Sequence, residues 1–305
     1  MKRWLSLLAV FCLVLSFIPG QVFAETETKP INEKLGVPIV VYGANLSESE
    51  KEAVREVLRV DDEAEVDEIT VSGEDLVKYI SNSNPNARMY SSAKITQEEE
   101  GKGLTVSIVT PENITEVTSE MYANAMLTAG LKDATIEVAA PKPVTGHSAL
   151  VGIYKAYEAK TGETLDVERT DVANDELQVA TELADNANIT DEQVAQLLTE
   201  IKKQIAEIDP QTKEEVEQIV KDQLSKLNIE LSDADRQMLV DLMDRIRQLD
   251  IDFSQWKDQL SSLSNMIEEK LTFLQDEGFW EKVKNFFNKL IDLVSSWFTS
   301  KEETN

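Results

Sequence analysis

The spacing of apolar positions changes character near the middle of the chain. In the first part, short apolar runs alternate with helical patterns. Pro38-Ile39-Val40-Val41-Tyr42 reads as a buried strand and Ile69-Thr70-Val71 as a second one. Between them, Ser47-x-x-Glu50 has the capping-box form that opens a helix, whose apolar side carries Ala53, Val54, Val57 and Leu58. A short helix follows around Leu76 to Ile80. The stretches Met89 to Thr96 and Leu104 to Val109 are β-rich, and the connection Glu98-Glu99-Glu100-Gly101-Lys102-Gly103 has the composition of a hairpin turn. A helix from about Thr118 stops at Gly130, Thr135 to Val138 is β-prone, and a further helix runs from Gly146 towards Gly162.

From about Leu165 onward the period is helical throughout. Ile189-Thr190-x-x-Gln193-Val194 supplies a capping box and a hydrophobic staple, and Val194, Leu197, Leu198, Ile201, Ile205 and Ile208 form one apolar stripe. Asp209-Pro210 fits an N-cap with proline at the first helical position, ahead of Val216, Ile219, Val220 and Leu227. Ser232-x-x-Asp235 opens another helix, with Leu239, Leu242, Met243, Ile246 and Leu249 inward. Short breaks between helices predict antiparallel neighbours and therefore a bundle. The fold class expected is α+β: a mixed α/β domain over 36–162, whose small sheet contains a hairpin, followed by an all-α helical bundle over 163–277.

Both chain ends stand apart from this pattern. Lys2 and Arg3 precede an apolar run from Trp4 to Ile18, Pro19-Gly20 breaks it, and Val22-Phe23-Ala24 places small residues where a signal peptidase needs them. The run is shorter than the ~20 apolar residues of a membrane-spanning helix. Residues 1–24 are therefore expected to be a signal peptide cut after Ala24, with 25–35 a flexible N-terminus and the chain secreted, extracellular or held at the cell surface. The single Cys, Cys12, lies in the leader, so the exported chain has no thiol and relies on its core alone.

Composition narrows the function. Against 57 acidic side chains stand 30 basic ones, a net charge of −27 that becomes −29 once Lys2 and Arg3 leave with the leader. A nucleic-acid partner is excluded on that balance, because phosphate is held by clustered Lys and Arg. No G-x-G-x-x-G and no G-x-x-x-x-G-K-[ST] occurs, and Gly101-Lys102-Gly103 sits in a turn between strands, so no nucleotide cofactor is expected. With one His and no exported Cys, the common zinc donor sets are missing. Asp250-x-Asp252-x-Ser254 begins like a calcium loop, but Gln255 and Ser261 stand where glycine and a bidentate Glu are needed, so it is read as the start of a helix. Weak, delocalised binding of divalent cations by the acidic surface is the remaining expectation.

No catalytic residue emerges. Gly146-His147-Ser148-Ala149-Leu150 begins like a nucleophile elbow, but Leu150 replaces its last glycine and the only His is the residue adjacent to the serine. The expectation is that this string opens a helix, with Ser148 or Thr145 as its cap. Paired carboxylates for glycoside hydrolysis carry no signal in so acidic a chain.

Three stretches resemble a known family: Gly43-Ala44-Asn45-Leu46-Ser47-Glu48, the run from Met121-Tyr122-x-Asn124 to Asp133-Ala134, and Gly146-x-x-Ala149-Leu150-x-Gly152-Ile153-x-Lys155-Ala156-Tyr157-Glu158. They look like the YpuA-like extracellular proteins of Bacillus-type bacteria, a domain-of-unknown-function family. The resemblance extends to Gly101-x-Gly103 and Glu182-Leu183, and implies export and this architecture without assigning any catalytic residue.

The last segment, 278–305, reads as an amphipathic helix and a polar tail. Trp280, Val283, Phe287, Leu290, Val294 and Trp297 repeat at helical spacing, and Phe279, Phe286, Ile291, Leu293 and Phe298 widen the apolar face. Lys282, Lys284 and Lys289 outnumber Glu281 and Asp292 on the polar side, an inversion within so acidic a chain. This is the candidate membrane or partner face, suited to reversible contact with a lipid surface. The competing expectation packs it on the helix of Trp256, Leu260, Leu263, Ile267 and Leu274. An exported binding or scaffolding protein is the leading functional expectation, with an unknown envelope or membrane partner. A membrane-docked protein and a carboxylate-based envelope hydrolase are the alternatives.

Overall fold

The structure is a computed structural model and describes residues 35–60, 65–187 and 189–275. The expected leader over 1–24, the aromatic segment from Phe279 to Phe298 and the expected polar tail lie outside the described residues.

Five strands form one mixed sheet: β1 (Ile39–Gly43), β2 (Asp67–Val71), β3 (Ser92–Gln97), β4 (Leu104–Ile108) and β5 (Ala134–Ala139), in the order β2-β1-β3-β5-β4. Two parallel pairs, β1 with β2 and β4 with β5, flank β3, which runs antiparallel to both its neighbours. Each parallel pair is joined through a helix, α1 (Glu48–Val57) and α3 (Ser119–Ala129), as parallel strands require. Between β2 and β3 lies α2 (Gly73–Tyr79), and α4 (His147–Thr161) follows β5.

The expected hairpin does not form. β3 and β4 are consecutive in the chain, yet β5 lies between them. The connection carries Gly101 at φ 86° and Gly103 at φ 73°, conformations that favour glycine. It thereby spans two strand spacings of about 4.8 Å each, room for one inserted strand. Asp133 ties it there: its carbonyl accepts from Glu98 N–H at 2.7 Å and its Oδ1 from Gly103 N–H at 2.7 Å.

Strand alternation divides the sheet between two cores. Ile39 and Val41 face the larger one, which continues through α3 and α4 into the later helices, whereas Val40 and Tyr42 meet Val54 of α1 and Leu58 just after it. That helix covers its face narrowly, since Ala53 and Val57, both expected on its apolar side, are exposed.

The remaining helices are α5 (Val167–Asn186), α6 (Asp191–Ile208), α7 (Lys213–Leu227), α8 (Asp233–Gln248) and α9 (Phe253–Gln275). Capping boxes at Ser47 and Thr190 and the Ser232 cap stand where the sequence placed them. Asp209-Pro210 does not open a helix. Asp209 takes a left-handed φ of 52° and closes α6, while Thr212 caps α7 through a box with Glu215. Ile208, in that last exposed turn, is 56% exposed and leaves the apolar stripe. Among the described residues no helix is long and apolar enough to cross a membrane.

Candidate functional site

Gly43, Val71 and Ala139 lie at the carboxyl ends of β1, β2 and β5, on the edge where β3 begins at Ser92. Segments leaving these ends converge, and their backbones are tied together. Ala44 N–H donates to the Val71 carbonyl at 2.8 Å, Asn45 N–H to the Met89 carbonyl at 3.0 Å, and Met89 N–H to Asn45 Oδ1 at 2.8 Å. Gly43 permits this approach, because a Cβ there would stand 2.3 Å from the Met89 carbonyl oxygen. On the opposite wall, Val144 N–H donates to the Asn113 carbonyl at 2.9 Å, and Thr115 N–H to the Val144 carbonyl at 2.9 Å.

These walls enclose a cleft of about 530 Å³ between α2, the 83–90 loop, the start of α4 and α5. In open α/β sheets, ligands commonly bind outside the carboxyl ends of the strands, and this volume suits a small molecule. Leu76, Ile80, Met89 and Val144 supply apolar surface, while Ser83, Arg88, Tyr90, His147, Ser148 and Asn174 supply polar groups. Among the described residues the buried Ser83 hydroxyl has no partner and Arg88 makes no ion pair. Tyr90 lies under the Lys142 ammonium at 3.7 Å, and Lys142 in turn binds Glu50 at 2.8 Å. That bond, with the Ser47 backbone and hydroxyl, holds the Glu50 carboxyl down at about 2.

The Gly146-His147-Ser148 string opens α4, but neither Ser148 nor Thr145 caps it. Gly146 is the N-cap, at a left-handed φ of 105°, and no side-chain cap is made. The Tyr122 hydroxyl holds its carbonyl at 2.6 Å, and a Cβ on this residue would meet Ile114 and Tyr122 at 2.8 Å. Ser148 therefore turns its hydroxyl to Ser91 Oγ at 3.4 Å. His147 points elsewhere: Nε2 lies 3.4 Å from Thr181 Oγ1, and Nδ1 lies 3.9 Å from Glu116 Oε2. Burial lowers the imidazole's affinity for a proton below its ordinary value, and Glu116 partly restores it. This arrangement offers hydrogen bonds to a ligand, not a Ser-His relay.

A second polar cluster lies within the core. Lys202 of α6 and Glu176 of α5 form an ion pair at 2.6 Å with side chains 0% and 1% exposed. Lys202 Nζ also donates to the Asn124 carbonyl at 2.9 Å and contacts Thr128 Oγ1 at 3.3 Å, while Thr128 donates to Glu176. Asn124 Nδ2 reaches Thr199 Oγ1 at 3.0 Å, and Trp256 of α9 lies over the ammonium at 5.4 Å. Burial lowers the Lys202 affinity for a proton, against the pull of Glu176. The cluster locks α3 to α5, α6 and α9 and is closed to solvent, so its role is structural.

The sequence's own candidate face, Phe279, Trp280, Val283, Phe286, Phe287, Leu290, Ile291, Val294, Trp297 and Phe298, lies outside the described residues. Trp256, Leu260, Leu263 and Ile267 of α9 are buried, in a helix packed on α6 and α3.

Fold and cleft together define a mixed α+β protein with a small-molecule-sized cavity at its strand ends. The chain belongs to the family described as Protein of unknown function (DUF1002), whose model matches residues 42–263. It is similar to the Uncharacterized protein YpuA of Bacillus subtilis (strain 168), with 39% identity over 204 residues. That alignment covers 66% of this chain and 66% of the relative, just under two thirds of either. No solved structure matches.

Proposed function

We propose that the chain is an exported, non-catalytic binding protein whose ligand enters the cleft at the strand carboxyl ends. The observation that carries this reading is the cleft itself: apolar walls, a few converging polar groups, and backbone ties that preform it. Ser148 and His147 line it with their side chains engaged separately, which favours recognition over acyl transfer. Export rests on the leader pattern of residues 1–24. The test is a thermal-shift screen of small molecules on the full chain beside Val144→Trp, which fills the cleft. Binding lost in the variant supports the reading. Enzyme-like turnover of peptidoglycan, peptides or esters that Ser148→Ala abolishes would overturn it, and a full-length protein with its leader retained in the cytosol would overturn export.

A second reading, reversible docking of residues 278–305 on a lipid surface, is favoured by their aromatic and lysine-bearing faces. It also gains support from α9, whose Trp256, Leu260, Leu263 and Ile267 are already buried in a helix packed on α6 and α3. Equal flotation of the chain and a version ending at Glu277 with anionic liposomes would refute it.

A further inference from the structure

Acidic residues number 57 of 305 in this chain, yet none is among those that line the cleft, which has Arg88 and His147 instead. Glu116, 3.9 Å from His147 Nδ1, stands outside that lining. Arg88 has no ion pair among the described residues, so its guanidinium is free to meet a carboxylate or phosphate with two parallel hydrogen bonds. The buried Ser83 hydroxyl, without a partner among the described residues, adds a polar atom that a ligand can satisfy. The opposite requirement comes from Leu76, Ile80, Met89 and Val144, which offer nothing but apolar surface.

We infer that the cleft takes a small amphiphilic anion, its carboxylate or phosphate head at Arg88 and its apolar body against Leu76, Ile80 and Met89. The inference rests on the proposed binding role and names the ligand class. The first helical turn of α4, which has no side-chain cap, adds its positive end to the same cleft. The long-range field of the chain opposes an anion, so recognition depends on the local cation and selects a ligand whose apolar part also binds.

The experiment titrates the full chain with octanoate, octyl phosphate, octylamine and octanol by calorimetry. The resonance of His147, the only His in the chain, reports cleft occupancy by NMR. Octanoate or octyl phosphate is expected to bind at least about tenfold tighter than octanol, a difference of about 1.4 kcal/mol, and to move the His147 signal. Whichever of these two binds more tightly identifies the head group. Arg88→Gln, at an exposed position, is expected to bring the anions down to the octanol level and leave octanol unchanged. If octylamine or octanol moves the His147 signal and binds as tightly as the anions, the ligand class is wrong while the binding role stands. If Arg88→Gln leaves anion affinity intact, the assignment of the head group to Arg88 is wrong. If no probe binds or moves that signal, both the ligand class and the binding role lose their support.

Discussion

Replacing Lys202 with Met tests the buried cluster. The substitution keeps the apolar stem but deletes an ammonium that meets Glu176 Oε1 at 2.6 Å and the Asn124 carbonyl at 2.9 Å. Glu176 is then left as a carboxylate 1% exposed, with Thr128 as its remaining donor. Breaking one side of such a pair costs about 3–5 kcal/mol, because the surviving charge can neither reach water nor find a new partner. The double variant Lys202→Met/Glu176→Leu removes both charges, and the Thr128 hydroxyl keeps the Asn124 carbonyl as an acceptor at 3.3 Å. It should lie within about 1 kcal/mol of the parent, or above it, since the desolvation of both ions is relieved. Urea denaturation followed by far-ultraviolet circular dichroism measures all the variants. A Lys202→Met loss below about 1 kcal/mol, or a double variant as unstable as the two single losses summed, would refute the argument.

Other outcomes follow from the strand-end loops, the caps and the titrating groups. Gly43→Ala forces a Cβ to within 2.3 Å of the Met89 carbonyl and should cost about 1–3 kcal/mol, whereas Gly152→Ala, 3.3 Å from the Val41 side chain, should be close to neutral; thermal melts compare the two. Thr212→Ala should cost about 1 kcal/mol in the same melts, because Thr212 is the α7 cap, and Pro210→Ala should cost much less. His147 is expected to titrate by NMR below the ordinary 6.5, and Glu116→Gln to lower its midpoint further, since Glu116 favours the protonated ring. Glu50 titrates lower in the folded chain than in the unfolded one. Its contribution to stability is thus complete above the ordinary carboxyl value of 4.5 and disappears as the pH falls through about 2. Acid titrations of the parent and Lys142→Met should differ in that window; identical acid limbs would show that the Lys142 bond does not hold Glu50 down.

Local chemistry made much of the fold legible. Ser47, Thr118, Thr190 and Ser232 cap helices through bonds to backbone a few residues away, and Gly130 and Gly162 end helices in left-handed conformations, so short-range reading found them. Strand pairing depends on distant residues. Nothing near Gly101 reveals that Asp133 will hold the turn open and that β5 will enter it. The same distance hid the cleft, because Leu76, Met89, Val144 and Asn174 come from four separate segments. Nothing in the local spacing around Lys202 singles it out, and its burial goes with Glu176 meeting it across the core. A signal was present in Asn124 and Thr128, polar residues inside an otherwise apolar helix.

Hydrogen–deuterium exchange of the full chain, with and without a saturating amphiphilic anion, tests the binding cleft most directly. The account predicts slowed exchange in α2, the 83–90 loop and residues 144–148, with the interior of α7 unchanged. Protection confined to α7 and α8, or none at saturation, would contradict it.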